Sequence, residues 1–361
     1  MRIAQVAPLY ESCPPQFYGG TERVVANLAD ALVALGHDVT LFASGDSRTR
    51  ARLYPISPCG IRLDPDIRDP LPHHVILLER VVERADEFDV IHFHIDFLHF
   101  PLARLISTPS LTTLHGRLDL PDLQPFYRIF PDAPLVSISE SQRTPMPPVN
   151  WLGTVYHGVD PGALPFSPDP WGGYLAFLGR ISPEKRPDRA IEIARRVGLP
   201  LKIAAKVDNA DAAYWEQDIA PLVAAYPNVE FVGEISDDQK PDFLGKALAL
   251  LFPIDWPEPF GLVMIEAMAC GTPVIAFRCG SVPEVIDHGQ TGFVVDSVDQ
   301  AVSAIASLPA IDRAGVRRVF EQRFTAERMA CDYLEIYRRL SRSPQPVEPL
   351  QLGASRATVA A

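Results

Sequence analysis

The chain has 361 residues, 36 of them Pro and 22 Gly, is 47% hydrophobic and carries a formal net charge of −12. Its length suggests two domains at roughly 150 residues each. The proline share, near twice the usual ~5%, excludes coiled coil and long unbroken helices, the apolar content excludes a disordered chain, and the acidic balance speaks against a general nucleic-acid binder.

In chain order, residues 2–8 predict a first strand. A turn holding Gly19-Gly20 leads to a helix over 22–36, with Val24, Val25, Leu28, Leu32 and Leu35 near helical spacing and Gly36 ending it. A strand over 39–42 completes a β-α-β start. The pattern recurs with a helix over 73–86, a strand over 88–93, and short strands over 110–114 and 135–138. The proline-rich stretch 145–171 holds one brief strand, 154–156, and its later part reads as an interdomain linker. A second series follows: strand 174–178, helix 187–197, strand 201–205, helix 211–225, strand 229–232, helix 239–247, strand 249–252, helix 260–269, strand 273–277, strand 293–295, helix 298–307, and one or two amphipathic helices over 312–340. Strands alternating with helices predict α/β architecture with parallel sheets. We expect two Rossmann-like, doubly wound domains at 1–160 and 161–325 facing a central cleft. A helix over 326–340 is free to rejoin the first domain, and 341–361 forms a disordered tail.

Cysteines and lysines add two constraints. Cys13, Cys59, Cys270, Cys279 and Cys331 are odd in number and form no close metal-type pair, which predicts a reduced, cytoplasmic chain. The start MRIAQVAPLY reads as a strand rather than a signal peptide, and no run of 18 apolar residues is present to span a membrane, although peripheral contact stays open. Only five lysines occur, Lys185, Lys202, Lys206, Lys240 and Lys246, in a chain whose positive charge is otherwise Arg. A lysine kept in such a chain is a candidate for a specific task.

Two segments carry the chemistry. Glu258-Pro259-Phe260-Gly261-Leu262 follows a strand and opens a helix. Pro259 suits the first turn, and the N–H groups of Phe260, Gly261 and Leu262 would form an anion site aided by the helix dipole. Glu258 and Glu266 can accept paired hydroxyl bonds. Glu266 lies in the apolar run 263–270, where an unpartnered acid would be costly. The second segment, Phe177 to Lys185, places Arg180 and Lys185 five residues apart after a glycine turn, a fork and a point charge suited to phosphate oxygens.

These residues carry a resemblance. The chain resembles the family-4 retaining glycosyltransferases of the GT-B fold, through Gly19-Gly20-Thr21-Glu22, Gly179-Arg180 to Lys185, and the E-x7-E pair Glu258 and Glu266. Gly271-Thr272-Pro273-Val274, Gly280-Ser281-Val282-Pro283-Glu284 and Gly292-Phe293 also fit, in order over nearly all of 1–340. The resemblance implies a hexosyltransferase acting on a nucleotide-sugar, with UDP-glucose the first choice of donor and an unidentified hydroxyl acceptor. The donor would be a substrate, with no cofactor or catalytic metal. Arg180 and Lys185 would neutralise the leaving diphosphate, Glu258 would bind the sugar, and Glu266 the ribose. Phe260, Gly261 and Leu262 would touch diphosphate or sugar; Gly19 and Gly20 would border diphosphate and acceptor. Glu234 and Ile235 would lie near the base. Thr21, His94, Asp96 and His115 would form the acceptor side, with His115 at the cleft floor and counted with Arg180, Lys185 and Glu258 as catalytic. This chain departs from many relatives at Ala205-Lys206-Val207-Asp208, where Lys206 would point into the donor site, and at His157, read as a linker variation.

Two other readings remain at this level. His92-Phe93-His94-Ile95-Asp96, with His99, resembles part of a metal-dependent hydrolase motif, but Phe97 replaces its last His. A non-catalytic sugar-nucleotide binding module would keep the same donor residues.

Overall fold

The computed structural model describes residues 1–16, 19–62 and 64–342. Two all-parallel sheets make up the chain. The first holds β1 (Arg2–Val6), β2 (Asp38–Ala43), β3 (Arg52–Pro55), β4 (Val90–Phe93), β5 (Ser110–Thr113), β6 (Leu135–Ser137) and β7 (Trp151–Thr154), in the order β3-β2-β1-β4-β5-β6-β7. The second holds β8 (Leu175–Arg180), β9 (Leu201–Lys206), β10 (Val229–Gly233), β11 (Ala249–Phe252), β12 (Val274–Phe277) and β13 (Gly292–Val295), in the order β10-β9-β8-β11-β12-β13. Helices cover both faces, so the central strands bury both sides and read as apolar runs rather than alternating ones. These are the two doubly wound domains expected.

In each sheet the strand order reverses direction beside the first strand, between β1 and β4 and between β8 and β11. Such switch points open a crevice beyond the carboxyl ends of the strands. The segments following β1, β4, β8 and β11 all open there, and the two crevices face each other.

The chain returns to the first sheet at its end. Val159 and Thr325 form an isolated bridge, after which the helix Ala326–Arg342 packs on the helix Gly20–Ala34. It sinks Met329, Tyr333 and Tyr337, all fully buried, into the core that holds Ile3, Leu28 and Leu32. Each such side chain contributes roughly 1.5–3 kcal/mol by leaving water. Across the cleft, the Glu284 carboxylate accepts from the backbone N–H groups of Glu140 and Ser141, both at 2.7 Å, and from the Tyr156 hydroxyl at 3.1 Å. Ser139 Oγ donates to the Pro259 carbonyl at 2.7 Å.

Several elements differ from the sequence reading. The brief strand expected over 154–156 lies at Trp151–Thr154, where it pairs with β6. The edge strand β3 was not expected, being four residues long and closed by Pro55. The helix expected over 211–225 is broken by a wide π turn at Trp215–Ile219 just before Pro221, which has no N–H to continue an α-helical ladder. Ser341 and Arg342, placed in the expected tail, complete the last helix, and the rest of that expectation, 343–361, lies outside the described residues. No helix among the described residues is long and apolar enough to cross a membrane.

Candidate active site

A cavity of about 670 Å³ fills the cleft between the two crevices. Every position that the resemblance assigned to the donor or acceptor side lines it: Gly19, Gly20, Thr21, His94, Asp96 and His115 from the first sheet's side, and Arg180, Lys185, Lys206, Glu234, Ile235, Glu258, Phe260, Gly261, Leu262 and Glu266 from the second. Three of the five lysines, Lys185, Lys206 and Lys240, are among its residues, while Lys202 pairs with Glu230 at 3.3 Å and Lys246 with Asp242 at 2.5 Å, away from it.

On the second sheet's wall, β8 runs through Gly179 and Arg180, so Gly179 continues a strand instead of forming the expected turn. Arg180 sits at the strand's end and faces carboxylates: Glu184 at 2.5 Å, Asp211 at 3.6 Å and Asp208 at 3.7 Å. Lys185 is 16% exposed and pairs with Glu258, not with neighbouring Glu184. Its ammonium also lies 4.9 Å from the Trp256 ring centre, and Trp256 Nε1 donates to Glu258 Oε2 at 3.1 Å. Trp256 was missed in the sequence reading; its signal was an aromatic residue two positions before Glu258 at a strand end. Glu266 is 5% exposed, and Lys240 Nζ donates to it at 2.8 Å. Arg23, from the first domain, lies 4.0 Å from Glu266 and forms an ion pair with Asp237. The buried acid in the apolar run is therefore partnered, as its burial required.

The helix expected from 260 begins at Leu262, which places Pro259 and Phe260 outside it. Gly261 is its cap, with φ +81, and a Cβ there would come within 2.8 Å of Met264 and 3.1 Å of Phe252. Only glycine takes that conformation in that space. With Gly261 as the cap, the N–H groups of Gly261, Leu262 and Val263 are without intrahelical carbonyls, and all three residues line the cavity, so Val263 joins the expected group. Behind this loop, a Cβ on Gly280 would meet the Glu258 backbone nitrogen at 2.4 Å, and Ser281 Oγ donates to the Phe260 carbonyl at 2.8 Å. The Gly280-Ser281 pair thus holds the segment that presents Glu258.

The first sheet's wall is built differently. His94 Nε2 meets Gln5 Oε1 at 2.8 Å, and His94 Nδ1 meets His115 Nε2 at 2.9 Å. His157 stacks on His115, with ring centres 5.2 Å apart and 18° between planes, and packs against Phe260. It is a buried cavity residue, and the linker reading is corrected: its ring closes the seam between the domains. Burial holds His94 and His157 well below the usual imidazole range and His115 at about 3. Burial also raises the Glu22 carboxyl here, to about 7. Asp96, with φ +53, opens to the cavity from the turn after β4, a conformation a non-glycine residue adopts at some expense.

The hydrolase reading finds no ligand set. Both ring nitrogens of His92 have protein partners, Tyr337 and Thr113 at 2.7 Å each, as do both of His94. His99 stacks on Phe93 and bonds Thr112 at 2.7 Å. Among the described residues no group of three His, Cys, Asp or Glu is arranged to hold a metal ion.

Comparison with known proteins agrees with this geometry. The family described as Glycosyltransferase Family 4 matches residues 18–140, and that described as Glycosyl transferases group 1 matches residues 172–317. A glycogen synthase of Mycobacterium tuberculosis is 27% identical, over 97% of this chain and 98% of its own length. The structure of AviGT4, a glycosyltransferase involved in avilamycin A biosynthesis, matches with a TM-score of 0.69 and 26% identity, over 95% of this chain and 98% of that one. Anabaena HepE, solved in complex with UDP and glucose, shares the fold with a TM-score of 0.71 at 20% identity, over 94% of this chain and all of that one. With a first-domain and a second-domain match in the expected order around one cleft, the chain belongs to the family-4 glycosyltransferases of the GT-B fold.

Proposed function

We propose that the protein is a retaining hexosyltransferase that moves a hexose, glucose from UDP-glucose in the first instance, from a nucleotide-sugar to a hydroxyl acceptor. The carrying observation is the shared wall on which Arg180, Lys185 and the free N–H groups of Leu262 and Val263 meet Glu258 and Glu266. The near full-length similarity to a glycogen synthase favours glucose. Cysteine usage supports a cytoplasmic setting.

As the bond from the anomeric carbon to the diphosphate breaks, negative charge builds on the departing oxygens, and fixed cations and N–H dipoles in a water-poor site stabilise it. Arg180 and Lys185 supply the charge, and the helix start at Leu262 supplies the dipoles. Glu258 receives sugar hydroxyls and Glu266 ribose hydroxyls. The acceptor hydroxyl attacks on the face the diphosphate leaves, forming the new bond to the anomeric carbon. Its proton passes to the departing phosphate oxygen. Because side chains meet the leaving charge, transfer is expected to persist in the presence of a chelator.

A donor panel tests this reading. UDP-, GDP- and ADP-hexoses are incubated with the protein and release of the nucleoside diphosphate is followed, with and without chelator. Turnover of one donor class in both conditions is expected. Absence of turnover with every donor, across a broad set of hydroxyl acceptors, would refute the enzyme and leave a binding module.

A further inference from the structure

Trp256 lies outside the positions that the resemblance assigned, yet it touches two of the groups proposed to meet the donor. The Glu258 N–H donates to the Trp256 carbonyl at 2.8 Å, closing a three-residue turn centred on Pro257. The fixed φ of proline suits such a turn. The turn brings the indole and the carboxylate together: Trp256 Nε1 donates to Glu258 Oε2 at 3.1 Å, and Lys185 Nζ donates to the same oxygen. Oε1 has no hydrogen-bond partner among the described residues, and it is not sealed from solvent. Both Trp256 and Glu258 line the cavity. The Lys185 ammonium lies 4.9 Å from the indole ring centre, and Arg117, in the first domain's loop after β5, lies 5.8 Å from it.

The choice of an indole has a chemical logic. Its N–H only donates and it carries no charge. It fastens a carboxylate without neutralising it and does not compete for a diphosphate. Its face attracts an ammonium ion and leaves that ion its charge. An ammonium has three N–H donors, so Lys185 can hold Oε2 and a phosphate oxygen together. An ammonium is also a point charge with no preferred plane. A carboxylate held by Lys185 alone could therefore turn and offer either oxygen; the second bond, from the indole, fixes which one is committed.

We infer that Trp256 is a positioning residue that pins Glu258 Oε2 beside Lys185, so that Oε1 is the oxygen presented to a hydroxyl of the donor hexose. This rests on the placement of Glu258 at the sugar. A carboxylate ordered before the ligand arrives loses less freedom on binding, and the hydroxyl gains more from it. The task of Trp256 is then selection of the sugar rather than capture of the nucleotide.

The test uses UDP-glucose and its 2-, 3-, 4- and 6-deoxy analogues, with release of UDP followed in the wild type, Trp256→Phe and Trp256→Leu. Circular dichroism checks each fold, and calorimetry gives the affinity for bare UDP. In the wild type, loss of the hydroxyl that meets Oε1 is expected to lower kcat/KM at least tenfold for one analogue. Trp256→Phe keeps a ring beside Lys185 and removes the N–H donor. It should lower kcat/KM for UDP-glucose roughly tenfold, shrink the penalty of that analogue to threefold or less, and leave the affinity for UDP within threefold. Trp256→Leu should lose sugar selection equally and also weaken UDP several-fold, because the ring beside Lys185 is gone. A Trp256→Phe variant that keeps the full analogue penalty, or that loses UDP as strongly as UDP-glucose, would overturn the inference and leave Glu258 at the sugar. A wild type indifferent to every hydroxyl would remove Glu258 from the sugar and the inference with it.

Discussion

The wall of the cavity built on the second sheet holds its ionisable side chains as ion pairs, whereas the wall built on the first sets a cluster of neutral histidines beside two paired arginines, Arg23 and Arg62. Lys185 faces Glu258, Lys240 faces Glu266, and Arg180 faces Glu184, Asp208 and Asp211. Opposite them, His94, His115 and His157 are kept neutral by burial and burial raises the Glu22 carboxyl to about 7, while Arg23 and Arg62 on the same side pair with Asp237 and Glu11. The difference suits two ligands of different chemistry. A diphosphate has to be met by charge, and a charged pair can exchange partners when a stronger anion arrives. A hydroxyl has to be met by oriented donors and acceptors, and a low-dielectric wall makes those worth more than in water. The histidine wall is also the one whose side chains are joined by a chain of hydrogen bonds reaching the last helix.

Breaking the ionic wall should have the largest effect. Lys185→Ala removes a leaving-group cation and strands the Glu258 carboxylate, which is 11% exposed. A fall in kcat/KM of roughly 10²–10³ is expected, read by steady-state kinetics beside a circular-dichroism check of the fold. Unchanged transfer would detach Lys185 from the leaving group. Glu258→Ala comes next. It should cost the sugar-bearing donor about tenfold to a hundredfold in kcat/KM, in the range of lost hydrogen bonds to a charged group, while the affinity for bare UDP stays within a few-fold; equal losses would place Glu258 elsewhere. Glu266→Gln is smaller still. It should weaken UDP by roughly tenfold, a loss of about 1.4 kcal/mol, and should weaken 2′,3′-dideoxy-UDP much less. The same loss for both would remove Glu266 from the ribose.

The histidine wall offers the smallest test, in stability. The folded pKa of Glu22 is about 7, above the ordinary 4.5, with burial as the largest cause. The folded chain therefore binds this proton more tightly than the unfolded chain. The contribution of Glu22 to stability is most favourable below about 4.5 and declines as pH rises through about 7, where the buried carboxylate must ionise. Glu22→Gln should gain roughly 2 kcal/mol over the wild type at pH 8 and little at pH 4.5, measured by urea denaturation. A gain independent of pH would show that Glu22 does not titrate in a buried site.

How far the sequence could be read follows the range of the interactions. Strands such as Ala249–Phe252 and helices such as Pro187–Val197 and Val298–Ser307 are visible because apolar periodicity and flanking breakers are local signals. The cavity-lining positions are visible where a motif sits at a strand end, as with Arg180, Lys185 and Glu258. The helix start was misplaced by two residues because Gly261 could equally lie within a first turn or cap it, and only its φ of +81 decides. Partners far apart in sequence stayed hidden. Arg23 meets Asp237 across 214 residues, and Gln5 meets Tyr337 across 332. Nothing near Gln5 marks it as more than a strand residue, since its partner lies on a helix at the other end of the chain. His157 was passed over for the same reason: its stack on His115 and its contact with Phe260 exist only when the two domains meet.

Whether the ionic wall receives the diphosphate is decided by calorimetric titration of UDP into the wild type, Lys185→Ala and Arg180→Ala. Binding to the wild type is expected in the micromolar range, about −8 kcal/mol, with a loss of tenfold or more in each variant and a wild-type affinity that falls with added salt as charge pairing demands. A wild type that binds no nucleoside diphosphate, or variants that bind UDP as tightly as the wild type, would contradict a diphosphate role for that wall.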